Sequence, residues 1–317
     1  MPPLDPMRCQ TRSIFRWVGY VPVDGAARHG GVPNTWERLL LDMDRVVAYT
    51  EYGREVILKS LPTLKDRIQV ISHGVDLDMY HPEPSDRVLQ WRRESGIADS
   101  QVVFLMVARN QFRKNIPEFC KAWTKFKEGG RAPQARFWPH MAFRDSMGWD
   151  LFEIFDIYGM IPDLLYYDGV ANSESNVFLA DERMLARTYA MCDVFVLLSG
   201  EGFGLPTLEA MACGKPVIVL DHSANTELAK GRGLLTKVAE YMTGGHSTER
   251  PYPNLDSVAN ALNKLYRDPQ LRRELGSKGL EFSQTRTWAL VCGQWDRLLK
   301  EIEDPFSVES VYAELVA

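Results

Sequence analysis

Residues 194–220 read VFVLLSGEGFGLPTLEAMACGKPVIVL. The apolar, β-branched run at its start predicts a buried strand over Val194–Leu198. Gly200, Gly202 and Gly204 make the next residues a loop. Leu205-Pro206-Thr207 then opens a helix, because proline in a first turn lacks only an N–H that has no partner there. Gly214 is placed to end that helix. Lys215-Pro216 leads into a second strand over Val217–Leu220. The stretch is thus a strand–helix–strand unit whose glycine loop points at a helix N-terminus. Free N–H groups and the helix dipole suit that end to phosphate.

Two carboxylates bracket the loop. Glu201 lies in it, and Glu209 stands about one turn into the helix. Carboxylates repel phosphate, so a bare phosphate is a poor fit. They suit a ligand that also carries hydroxyls, since one carboxylate accepts both hydrogen bonds of a vicinal diol. Phosphate flanked by diols on both sides describes a sugar nucleotide. The competing reading is a packed turn whose glycines only save space and whose glutamates are solvated.

Outward from this unit, strands and helices alternate. Strands are expected at Arg16–Val21, Arg45–Thr50, Ile68–Ser72, Val102–Val107, Ala135–Ala142 and Leu164–Tyr167. Helices are expected at Thr35–Met43 and Asn115 onward, each capped by the asparagine at its start, and at Glu51–Leu61, Trp149–Tyr158 and Asp181–Met191. This alternation predicts parallel α/β sheets of doubly wound type. The Pro-rich stretch His81–Asp86 reads as a linker. The C-terminal third is helical, with Val258, Leu262 and Leu265 on one face. Trp288, Val291, Trp295, Leu298 and Ile302 form a second stripe that reads as core or interdomain packing. Three parts are expected: a partial N-terminal α/β domain (1–98), a Rossmann-like domain (99–285), and C-terminal helices (286–317) that pack back on the first.

The chain has 317 residues, 45% apolar and 25% charged, with a formal charge of −5. That charge argues against a nucleic-acid binder driven by counterion release. Five dispersed cysteines without C-x-x-C exclude a disulfide framework or cysteine zinc site as the leading reading. Reduced thiols and a cytoplasmic location are expected, with peripheral membrane association left open. No apolar run reaches the ~18–20 residues of a membrane helix. Met1–Pro6 lacks the layout of a signal peptide.

The segment EGFGLPTLEAMACGKPVI resembles the signature of retaining GT-B glycosyltransferases of family-4 type, the glycosyl transferases group 1. Val107–Ile116 (VARNQFRKNI) is similar to that family's strand-end Arg and following Lys, and Val70–Asp76 to the segment joining its domains. The resemblance implies a GT-B fold and hexosyl transfer with retention from a GDP- or UDP-linked sugar, with no required metal and no cofactor. It implies that Glu209 binds the ribose and Glu201 holds the transferred sugar. Gly202, Phe203, Gly204 and Leu205 would border the sugar and diphosphate. Arg109 and Lys114 would neutralise the leaving group. Val170, beside Tyr167 and Asp168, marks the expected base region. His73 and Asp24 are candidates at the cleft, each weighed against a purely structural role. A saccharide, a lipid-linked glycan or a protein is the implied acceptor.

The pattern departs from the family in one respect. Residues 1–98 supply three expected strands where the family's domain has more. A homodimer or partner subunit completing that half is therefore an expectation, as is a nucleotide-sugar-binding unit inactive alone. Epimerases and phosphorylases sharing the scaffold are further alternatives. The D-x-D pairs Asp42/Asp44 and Asp76/Asp78 lack histidine partners and read as turns or caps.

Overall fold

The structure is a computed structural model and describes residues 16–172 and 181–302. Met1–Pro6, Cys9 and the end of the expected C-terminal segment, 303–317, lie outside the described residues.

The first unit holds strands β1 (Val18–Val21), β2 (Arg45–Ala48) and β3 (Ile68–Val70), paired in parallel in the order β1-β2-β3. Helices α1 (Asn34–Asp42) and α2 (Glu51–Ser60) make the crossovers. Strand periodicity divides the side chains between two faces. Val46 and Ala48 pack with Leu40, Val56, Ile57 and Leu64 under the helices. Val47 and Ile71 face the other way.

A linking helix, α3 (Ser85–Glu94), leads to the second unit. It contains β4 (Val102–Val107), α4 (Ile116–Lys127), β5 (Ala135–His140), α5 (Leu151–Ile157), α6 (Asp168–Ala171), α7 (Glu182–Met191), β6 (Val194–Leu197), α8 (Leu205–Ala212), β7 (Val217–Leu220), α9 (Ala224–Ala229) and β8 (Leu234–Thr236). The five strands are parallel in the order β5-β4-β6-β7-β8. Of these, β4, β6 and β7 are covered on both faces, which is why they read as continuous apolar runs. A two-stranded antiparallel hairpin follows, β9 (Val238–Thr243) with β10 (Glu249–Pro253). The chain closes with α10 (Leu255–Arg267), α11 (Pro269–Gln284) and α12 (Trp288–Ile302).

Helix α12 returns to the first unit. Its buried Val291 and Leu298, with Trp295 and Ile302, cover Val47, Ile71, Val18 and Tyr20. The face of the first sheet turned away from α1 and α2 is therefore covered by the chain's own C-terminal helix. Val75, Tyr80 and Ile97, grouped with the first unit in the sequence reading, enter the core of the second.

Three local expectations are corrected. Leu164–Tyr167 is no strand: it keeps one bridge, Phe137 to Leu164, and then turns into α6. The fifth strand of the sheet is instead β8. Neither Asn34 nor Asn115 caps a helix through its side chain. Asn115 is left-handed (φ 54°), and its amide donates to the Leu198 carbonyl at 2.6 Å and the Pro251 carbonyl at 2.9 Å. Among the described residues, no helix is long and apolar enough to cross a membrane.

Candidate functional site

The strand order sets the site. From β4 the chain moves outward to β5, then returns past β4 to place β6 on its other side. Open α/β sheets bind ligands at such a switch point, outside the carboxyl ends of the strands. Two loops leave that point: residues 108–115 after β4, and residues 198–204 after β6.

The second is the glycine loop. Gly204 precedes α8 with φ +94°, a conformation that favours glycine. Gly200 allows a close approach from the first unit. A Cβ there would lie 2.6 Å from the Asp24 carbonyl oxygen and 2.9 Å from the His222 ring. Gly202 faces Pro22 across the same gap. Phe203 is buried, and Leu205 begins α8.

Glu201 is buried at the centre of the loop. Its Oε1 accepts hydrogen bonds from Lys114 Nζ and, at 2.5 Å, from Ser199 Oγ. Arg113 Nη1 lies 3.6 Å from the same oxygen and donates to the Gly200 carbonyl at 3.2 Å. Ser223 Oγ fixes the backbone, accepting from Glu201 N and donating to Glu201 O, both at 3.0 Å. Burial pushes the Glu201 carboxyl up. The Lys114 and Arg113 charges outweigh it and hold the group below the usual carboxylate range. Burial also pulls the Lys114 ammonium down, so each charge depends on the other.

Glu209, on α8, accepts from the buried Tyr189 hydroxyl at 2.8 Å. Burial raises its pKa to about 7, against the Tyr189 bond that lowers it. Arg109 stands at the end of β4 and makes a two-pronged contact to Asp145, at 2.7 and 3.3 Å. Asn110 braces that region: its amide donates to the Phe143 and Trp149 carbonyls and accepts from Trp149 N. Val170 is buried in α6, and the carbonyl of its neighbour Ala171 accepts from Phe143 N at 2.8 Å.

The first unit supplies the opposite wall. His73 sits among Tyr20, Tyr49, Phe203 and Trp288, with its Nδ1 3.3 Å from the Tyr20 hydroxyl. Burial lowers its pKa. The Asp24 carboxylate is paired with Arg250 of β10. Asp44 accepts from Trp17 N at 2.7 Å, and Asp76 from the Asp78 and Met79 N–H groups, at 2.9 and 3.2 Å.

Glu201, Lys114 and the glycine loop therefore meet at the switch point, with Glu209 one turn up α8. Arg109 lies at its rim, engaged elsewhere, and His73 and Asp24 line the facing unit. Arg113, Ser199, Tyr189 and Asp145 were not among the expected site residues. Arg113 had a local signal, adjacency to Lys114. Asp145 and Tyr189 had none, being far from their partners in sequence. Cations, amide dipoles and a carboxylate fixed this way suit an anion that also bears hydroxyls.

Comparison with known proteins bears on the fold and on the family. Residues 171–282 match the family model described as glycosyl transferases group 1, a span that contains the glycine loop, Glu201 and Glu209. The chain is 28% identical over 262 residues to the D-inositol 3-phosphate glycosyltransferase of Stackebrandtia nassauensis, covering 80% of this chain and 53% of that protein. Sucrose-phosphate synthase from Thermosynechococcus elongatus superposes with a TM-score of 0.70 at 22% identity, covering 93% of this chain and 70% of that one. Anabaena HepE in complex with UDP-glucose gives a TM-score of 0.69 at 18% identity, with coverage of 90% and 72%. The fold is GT-B-like. The chain spans about half the length of the curated relatives it matches.

Proposed function

We propose that this chain binds a nucleoside-diphosphate hexose, GDP- or UDP-linked, and transfers the hexosyl group with retention and without a required metal. The observation that carries the reading is the buried Lys114–Glu201 pair at the mouth of α8, with Glu209 one turn beyond it. The names of the relatives support the class of reaction, and the UDP-glucose bound by HepE supports the class of donor.

In this reading Glu209 accepts the two ribose hydroxyls, and Glu201 accepts hydroxyls of the hexose. The 202–205 backbone borders the diphosphate. Lys114, Arg113 and Arg109 offset the charge that grows on the departing phosphate, which is the usual place for electrostatic catalysis to act. An acceptor hydroxyl forms a bond to the anomeric carbon on the face the diphosphate leaves. The carbon–oxygen bond to phosphate breaks, and the hydroxyl proton passes to that phosphate oxygen. Buried free thiols at Cys120, Cys192 and Cys213 support a cytoplasmic setting.

A second reading rests on the first unit. Its three-stranded sheet ends in β1 on one side and β3 on the other, which offers edges to further polypeptide. The chain would then be the donor-binding part of a larger assembly. Thermal unfolding in EDTA with UDP, GDP and ADP, free and sugar-linked, tests both. A selective shift by one nucleotide, followed by turnover with an acceptor, supports transfer. A shift without turnover supports the second reading. No shift in a cooperatively melting protein refutes donor binding.

A further inference from the structure

Beside the glycine loop, beyond the His222 ring, lies a cavity of about 560 Å³ that the donor reading leaves unused. Both units build it. Tyr52, Glu55 and Lys59 come from α2, Arg28 from the loop after β1, and His222 from the end of β7. Tyr241 and Glu249 come from the hairpin.

The hairpin is a fixed wall. Arg250 pairs with Asp24, and Glu249 N donates to the Ala26 carbonyl at 2.7 Å. Three rings follow one another along it. Tyr52 and Tyr241 each lie 5.6 Å from His222, and the Tyr241 hydroxyl is 3.5 Å from His222 Nδ1. Tyr241 is 49% exposed, so part of its side chain is accessible to a ligand.

The lining identifies the ligand class. Arg28 and Lys59 oppose Glu55 and Glu249, which leaves no net formal charge. Burial lowers the His222 pKa, so the imidazole adds none at neutral pH. A phosphate would meet as many carboxylates as cations here and gain no net attraction. A neutral sugar can use both kinds of group: its hydroxyls donate and accept, and its C–H face lies well on an aromatic ring. The volume falls within the ~300–1,000 Å³ of small-molecule sites.

We propose that this cavity is a subsite for a neutral saccharide, with Tyr241 as its stacking platform, and that it seats the acceptor sugar beside the glycine loop. The His222 ring lines the cavity and also lies against Gly200, so the two sites share a wall. The acceptor role rests on the transfer reading above. Saccharide binding does not.

The test is saturation-transfer NMR on the full chain, with and without saturating UDP or GDP. The probes are methyl α-glucoside, maltose, lactose and maltoheptaose, with glucose 6-phosphate and inositol 1-phosphate as anionic controls. At least one neutral saccharide is expected to bind. Maltose against maltoheptaose separates a free sugar from the end of a longer glycan. Tyr241→Ala is expected to weaken binding about tenfold, the worth of one lost aromatic contact. Tyr241→Phe keeps it, and neither change alters melting or the nucleotide shift. Binding of only the phosphorylated probes, of no saccharide, or of saccharides indifferent to Tyr241→Ala overturns the proposal. Saccharide binding without any nucleotide shift leaves the subsite standing and removes the donor reading.

Discussion

The Glu227 carboxylate accepts the Tyr52 backbone N–H at 2.6 Å, and this bond ties the two units together across the cleft. The same carboxylate accepts the Glu51 N–H at 3.2 Å, while Thr50 Oγ1 takes the Gly53 N–H at 3.0 Å. Three of the N–H groups that a helix start leaves free are thus satisfied, two of them from the opposite unit. An anionic group at a helix N-terminus also complements the dipole. Glu227→Ala is expected to cost ~1 kcal/mol, similar to loss of an ordinary N-cap, read as a lower urea midpoint. It should also speed proteolysis of the joint near residues 72–75, which Thr50→Ala should not. Equal cleavage of the two variants would show that Glu227 caps α2 without holding the cleft.

Glu201 and Lys114 are both buried, and each is the other's main compensation. Removing one leaves a buried charge unpaired, which costs about 3–5 kcal/mol. Glu201→Ala and Lys114→Ala should each lower stability by that order. The double variant should recover most of the loss, a coupling that a urea-unfolding cycle measures directly. Simple additivity of the two losses would mean that Arg113 and Ser199 already satisfy Glu201.

The two glutamates should separate chemically. Glu201→Gln keeps the shape of the loop and is expected to spare binding of free UDP or GDP while reducing transfer. Glu209→Ala is expected to weaken the free nucleotide by about tenfold, the value of one lost charged hydrogen bond. Equal effects of both changes on nucleotide binding would reverse or cancel the assignment.

Glu209 also predicts a pH dependence. Its pKa is raised to about 7 by burial. A carboxyl whose folded pKa is raised favours the folded state most when protonated. Its contribution therefore falls as pH rises from the unfolded value toward about 7. A ribose diol that donates to the ionised carboxylate reverses this preference. Nucleotide binding should tighten as pH rises through about 7, with release of up to one proton. Calorimetry in buffers of different ionisation enthalpy counts that proton, and Glu209→Gln should abolish it. Proton release that persists in Glu209→Gln places the titrating group elsewhere.

The unit from β6 to β7 was legible because strands covered on both faces leave unbroken apolar runs, and Pro206 and Gly214 punctuate the helix between them. What lacked such periodicity was not legible. Strand β8 has three residues and β9 is largely exposed, so neither prints an apolar pattern. Leu164–Tyr167 looks like a strand by composition, yet the chain bends away after one bridge. At the candidate site, the glycine loop, Glu201 and Glu209 could be picked out by residue type and spacing, and Lys114 through the resemblance alone. Their partners could not. Asp145 lies 36 residues from Arg109, and Tyr189 lies 20 from Glu209, so only the folded sheet brings them together.

Arg92 shows how burial of one side chain assigns a helix to a unit. It is buried on α3, where Nη1 donates to Asp193 Oδ2 at 3.0 Å and Nη2 to the Gln101 carbonyl at 2.6 Å. Asp193 Oδ2 in turn accepts Val103 N at 2.8 Å. One guanidinium thus ties α3 to the starts of β4 and β6. Arg92→Leu would leave the Asp193 carboxylate without its charge partner and the Gln101 carbonyl without its donor, at a cost of about 3 kcal/mol. Arg92→Lys should lose most of that too, since an ammonium lacks the planar fork that reaches both partners. In hydrogen exchange, α3 amides should be protected together with β4 and β6 in the wild type and exchange early in Arg92→Leu. Protection that instead follows β1–β3 would place α3 with the first unit and leave the Arg92–Asp193 pair a contact between units.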